Sequence, residues 1–259
     1  MELFVADLIE RFYTALWPFL RIGAMLIAVP VLSIDAVSVR IRVILTLALT
    51  LMIYPLVDWP TIDPVSAAGL SEIFNQILIG VLMGFFLQIV TAAVVLAGQA
   101  IANSMGLAMA TMVDPGIGTV PLMSQFLLIL ATLIFLGVGG HILMIGILLR
   151  SFETFPVGVA FITGANFAAL VEWSAMIFLG GMLMALPVLV ALLLVNIGVG
   201  VMTRAAPSLN IFAVGFPVFF LTGYAVLILS MAGIGARIQW LWMEGIERVK
   251  DFVMVPGVL

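Results

Sequence analysis

Between Glu72 and Arg150 the chain carries a single formal charge, Asp114, and the flanking residues form apolar runs that approach thirty residues. Crossing about 30 Å of hydrocarbon takes roughly 20 helical residues, so these runs are long enough to span a bilayer with residues to spare. Lipid cannot pair backbone N–H and C=O groups, which leaves helices and closed barrels as spanning structures, and the alternation of barrel strands is absent here. Apolar runs fall at about Phe12 to Leu32, Val43 to Val57, Ile73 to Ile101, Leu122 to Leu149, Trp173 to Thr203 and Ile211 to Ile234. The expected fold class is therefore all-α: an integral membrane protein of about six long, broken hydrophobic helices plus a C-terminal amphipathic helix. Composition agrees, with 65% hydrophobic residues, 8% charged residues and a mean hydropathy of +1.37.

Within this apolar sequence one stretch is built differently. Met105 to Pro121 contains an Asp-Pro-Gly-x-Gly run, Asp114 to Gly118, that removes a backbone donor and favours a turn over a helix. Irregular backbone at membrane depth persists inside protein or beside water, so one reading is a re-entrant loop or plug; a hairpin loop at the water interface fits the same residues. Met105, Met109 and Met112 recur at spacings of four and three. They fit a flexible thioether seal on one helix face, or core filler in a chain with 16 Met. An Asp at mid-membrane costs roughly 2.5 to 3.5 kcal/mol on insertion scales, so Asp114 needs water, a proton or a partner, for which Arg21 and Arg204 are candidates.

Other signals concern packing and chain direction. Gly80, Gly84, Gly98, Ala102 and Gly106 follow small-xxx-small spacing and predict close helix contacts. Gly180-Gly181 with Pro187, and Gly215 with Pro217, predict kinks or breaks in the fifth and sixth runs. Gln88, Gln99, Asn103, Gln125 and Asn196 need hydrogen-bond partners and read as interhelical contacts, with a pore lining as the other reading. Ser33 to Arg42, Asp58 to Glu72 and Arg150 to Glu172 read as solvated loops, the last with room for a short amphipathic helix. From about residue 237 to 259, Ile238, Leu241, Trp242, Ile246, Val249 and Val253 keep helical spacing, predicting an amphipathic helix on the membrane surface or against a partner. Lys and Arg distribute too evenly between alternate loops to set an orientation. The N-terminus lacks the basic region of a cleavable signal, so the first run is expected to be kept. No repeat appears, and a single domain over 1–259 is the simplest account.

Several chemistries are unsupported. Nine Lys+Arg against 13 Asp+Glu give no basic stripe for nucleic acid. With no Cys and one histidine, His141, no metal site, cofactor motif or catalytic constellation is expected. Nor do acids line up through the spans as a proton relay requires.

The segment Ala110-Thr111-Met112-Val113-Asp114-Pro115, and more specifically Met182 to Pro217 with its Arg204-Ala-Ala-Pro-Ser-Leu-Asn-Ile-Phe-Ala-Val-Gly-Phe-Pro217 block, strongly resembles the FliR family, flagellar relatives of the injectisome SctT proteins. The six-run profile and Arg40-x-Arg42 extend the resemblance over nearly the whole chain. It implies a non-enzymatic subunit of the type III export gate in the inner membrane and flagellar basal body, assembled with FliP and FliQ, engaging FlhB and passing unfolded proteins. It implies a core raised above the bilayer plane, and a plug at about 105–121 formed by Met105, Gly106, Met109, Met112, Asp114, Pro115, Gly116 and Gly118. Met109 and Met112 stand where relatives have Phe, which implies a more yielding seal. Arg204, Pro207, Asn210, Gly215 and Pro217 would form a helix joint, with Arg204 at a helix C-terminus and a cap from Ser208 or Asn210. A small-solute secondary transporter and a purely structural scaffold are the alternative functions.

Overall fold

The computed structural model describes residues 2–31, 38–106, 122–159, 161–205 and 211–254. Among them all regular structure is helical: α1 Glu2–Ala28, α2 Val39–Ile53 with a 3-10 turn at Tyr54–Leu56, α3 Ala67–Ser104, α4 Leu122–Gly137, α5 Gly140–Thr154, α6 Gly164–Ser174, α7 Met176–Ala205 and α8 Ile211–Met254. By length and composition four helices among the described residues could cross a membrane, or up to five if α4 and α5 form one interrupted span. The described part of α1 carries Arg21 within its apolar run and Arg11 just before it, and is not among those candidates.

Two compact units divide the chain: Met1–Ile89 with Gly139–Ser174 and Glu244–Leu259, and Val90–Val138 with Ala175–Met243. In the first, α1 and α3 meet backbone to backbone. A methyl group added at Gly80 would lie 2.3 Å from the Arg21 carbonyl oxygen, and one at Gly84 would lie 2.3 Å from Ala28 Cβ. The small-residue spacing thus marks true close packing here. Phe252 near the end of α8 joins Phe86 and Phe155, with ring centroids 5.5 and 5.7 Å away, and Trp173 Nε1 donates to the Phe86 carbonyl at 3.0 Å.

The first unit also corrects the loop boundaries. Ser66 starts α3, its hydroxyl accepting from the Gly69 N–H at 3.0 Å as an N-cap does. Helix therefore begins well before Glu72, and Glu72 is buried with Asn75 and Gln76 one turn on, instead of lying in a solvated loop. Arg40 and Arg42 likewise belong to α2, and α6 supplies the short helix expected between Arg150 and Glu172.

In the second unit the interruptions do not fall where Gly and Pro in the fifth run suggest. α7 runs through Gly180, Gly181 and Pro187 without ending. A methyl at Gly181 would come within 2.9 Å of the Ala93 carbonyl oxygen, so this glycine is there for packing against α3. Pro187 has no N–H to give the carbonyl four residues back, that of Leu183; Arg237 Nη1 of α8 donates to it instead, at 2.5 Å. A side chain thus supplies a donor where the backbone has none. Gly215 and Pro217 also lie inside one helix, α8. The break that the residues do impose is at Gly139, which has φ +72° and separates α4 from α5.

Nor is the amphipathic C-terminal segment a separate element. It continues α8 to Met254, and its predicted apolar face is buried within the chain: Ile238, Leu241, Trp242, Ile246, Val249 and Val253 are all nearly inaccessible. Trp242 sits against Phe135, centroids 4.7 Å apart, and donates Nε1–H to the Ala131 carbonyl at 2.9 Å. Neither a membrane surface nor a partner is what covers this face.

Replacing Arg237 by Met is expected to destabilise the chain by about 1 kcal/mol through the orphaned Leu183 carbonyl. In the Pro187→Ala background, where the backbone N–H is restored, the same change should cost measurably less. A double-mutant cycle of thermal unfolding in detergent reads the difference, and equal costs in both backgrounds would refute the exchange of donors.

Candidate functional site

α3 leads directly into the Asp-Pro-Gly segment, and its last turns fix how the chain enters. Met105 N–H donates to the Ile101 carbonyl at 3.0 Å and Gly106 N–H to the Asn103 carbonyl at 3.1 Å, closing the helix. Gly106 then adopts φ +78°, a left-handed conformation that costs glycine little and an L side chain about 1–2 kcal/mol. This terminates α3 at Ser104 and leaves Met105 just beyond its last turn.

Met105 itself is fully buried. Its side chain fills the space beside Gly223 of α8, where an added methyl would lie 2.5 Å from Met105 Cγ and 3.0 Å from its sulphur. On the other side of the segment, α4 is held just as closely. A methyl at Gly98 would lie 2.4 Å from Ser124 Cα, and the Ser124 hydroxyl donates to the Val95 carbonyl at 3.0 Å. Both attachments lie in the second unit, so segment 107–121 leaves from and returns to one anchored framework. Met109, Met112, Asp114, Pro115, Gly116 and Gly118 lie outside the described residues.

Of the expected joint, Arg204 occupies the last turn of α7, where a cation complements the carbonyl end of the helix dipole, and its side chain is exposed. Gly215 is buried and Pro217 exposed within α8; Pro207 and Asn210 lie outside the described residues.

Arg21, a candidate partner for Asp114, has an arrangement of its own in the first unit. Fully buried, it donates from Nε to Gln76 Oε1 at 2.7 Å, from Nη1 to the Ser151 carbonyl at 2.6 Å and hydroxyl at 3.1 Å, and from Nη2 to the Phe155 carbonyl at 2.7 Å. Its guanidinium carbon lies 4.3 Å from the Phe152 ring centroid. Gln76 Nε2 in turn donates to Glu72 Oε1 at 2.5 Å. The planar fork thus ties α1 and α3 to the carbonyl end of α5. Sequence reasoning missed Gln76, Glu72 and Ser151. A signal was available in Glu72 and Gln76 at i and i+4 ahead of an apolar run.

Gln88, Gln99, Asn103, Gln125 and Asn196 are all exposed on this chain. His141 is exposed near the start of α5, and among the described residues no cluster of His, Cys, Asp or Glu is arranged to hold a metal ion.

The family described as bacterial export proteins, family 1, matches residues 12–245. The chain is similar to the flagellar biosynthetic protein FliR of Pectobacterium carotovorum subsp. carotovorum, 36% identical over 248 residues covering 95% of each chain. With FliR of Escherichia coli (strain K12) it is 34% identical over 238 residues, 92% of this chain and 91% of that one. FliR of Bacillus subtilis (strain 168) is 28% identical over 257 residues, 97% and 99% of the two chains.

Truncating Arg21 to Ala should destabilise the chain by about 3–5 kcal/mol, because Glu72 then stays buried without its cation. Adding Glu72→Gln in the same chain should recover part of that loss, as measured by denaturation in detergent. No recovery would mean that Arg21 acts through its carbonyl contacts alone.

Proposed function

From the premise that this chain belongs to family 1 of the bacterial export proteins, we propose that it is a multi-pass inner-membrane subunit of the flagellar type III export gate. In this role it helps form and close the conduit through which unfolded flagellar proteins leave the cytoplasm. It acts without catalysis of its own, assembled with FliP and FliQ and engaging FlhB, in the flagellar basal body with its core raised above the bilayer plane. The family match favours export over small-solute transport.

The observation that carries the closing role is the pair of fixed attachments on either side of segment 107–121: buried Met105 with left-handed Gly106, and Ser124 locked on Gly98. A plug needs a pliable middle and ends that do not drift, and these contacts supply the ends. Met105, Gly106, Met109, Met112, Asp114, Pro115, Gly116 and Gly118 form the closure in this reading. Arg204, Pro207, Asn210, Gly215 and Pro217 keep the joint between α7 and α8. Helices that outrun the hydrocarbon support a raised core: α3 has 38 residues and α8 has 44, against roughly 20 for one crossing.

Deleting Gly106 to Pro121 should leave assembly intact and make the gate leak ions or small solutes, read as dye or ion flux in vesicles carrying the complete gate. Normal assembly with an unchanged leak would remove the plug. A stalled export substrate should crosslink to a photoreactive residue at Met109 or Met112; a scaffold remote from the path would give no such product.

A further inference from the structure

The first unit carries an open groove of about 640 Å³ between α5 and the end of α8, with both apolar and charged lining. Ile142, Leu143, Gly146 and Ile147 line the apolar part, all from one face of α5. Gly146 has open space over it: a methyl there would meet nothing within 4 Å, so no neighbour in this chain requires a glycine. One to two turns further along the same face the lining becomes charged, with Arg150 and Glu153 of α5 and Lys250 of α8.

Arg150 and Glu153 make no ion pair among the described residues, and Lys250 is shared with Glu247 at 2.7 Å. The groove thus joins apolar walls, from α5 and from Val253 and Met254 of α8, to two cations and one carboxylate. That pattern complements an acyl chain joined to a phosphate and a primary ammonium.

We propose that this groove binds a phospholipid of the ethanolamine class, with an acyl chain over Gly146, the phosphate at Arg150 and Lys250, and the ammonium at Glu153. The lipid is a ligand of this chain whatever the chain does in export. Glu153 sets the preference: phosphatidylglycerol, which has the phosphate and no ammonium, gains from the two cations and nothing from the carboxylate.

The full chain, purified in mild detergent and incubated with mixed micelles of phosphatidylethanolamine or phosphatidylglycerol, can be read by native mass spectrometry. Wild type should retain phosphatidylethanolamine preferentially. Arg150→Gln should weaken both lipids roughly fivefold, in line with about 1 kcal/mol per basic residue at a lipid headgroup. Glu153→Gln should abolish or invert the preference while total retention persists, and Gly146→Leu should reduce both lipids. Because Arg150 and Glu153 are exposed, their variants decide the matter even if Gly146→Leu fails to fold. Equal retention in wild type, Arg150→Gln and Glu153→Gln would overturn the site as unselective surface lipid. Loss of a co-purifying polypeptide with no change in lipid would overturn it as a protein contact.

Discussion

Two arginines solve the same physical problem in different places. A helix leaves carbonyl oxygens unpaired wherever it ends or meets proline, and an unpaired carbonyl costs about 1–3 kcal/mol depending on its burial. At the end of α5 the Arg21 guanidinium reaches the Phe155 carbonyl and shares the Ser151 carbonyl with the Phe155 N–H, and in the middle of α7 Arg237 supplies the donor that Pro187 lacks. Each places a permanent cation in an apolar chain for the sake of backbone pairing. Arg suits this better than Lys, since its planar fork serves two or three acceptors at once.

Glycine does the complementary work. Gly80, Gly84, Gly98 and Gly181 let helices touch where a single methyl would collide with backbone or Cβ atoms. In lipid such close approach is a main source of association, because apolar side chains gain little from leaving one hydrocarbon for another. Anchoring of the segment between α3 and α4 rests on the same device: Gly98 admits Ser124, and Gly223 admits Met105. The proposed closure therefore depends on glycines outside the Asp-Pro-Gly run as much as on that run.

Much of this was legible in the residues, and the failures have identifiable causes. All six apolar runs lie on helices, the small-residue spacing marked real contacts, and the apolar face from Ile238 to Val253 is the buried one. Gly180-Gly181 and Pro187 do not end α7, because Gly and Pro report a local cost whereas the outcome depends on distant partners such as Arg237. Gly137-Val-Gly-Gly was overlooked inside an apolar run, although Gly139 is where the fourth run divides. Glu72 was assigned to solvent because it follows an acidic loop, and its burial depends on Arg21 and Gln76, which lie close to it only in the folded chain. Membership of the export family was readable from the Arg204 to Pro217 block, which shows that a family signature can outlast ambiguity about individual helices.

The length of α8 bears on the fate of a newly made copy. Forty-four helical residues have a contour of about 66 Å, more than twice the hydrocarbon thickness. Along it Leu221, Ile228, Leu229 and Met243 point away from the chain's own core. An upright crossing covers less than half of that length, and the chain's own core covers the face from Ile238 to Val253. In the assembly proposed above, such apolar helix is the part of a newly made copy that companion subunits would have to cover, and a copy made in excess of them would carry it bare.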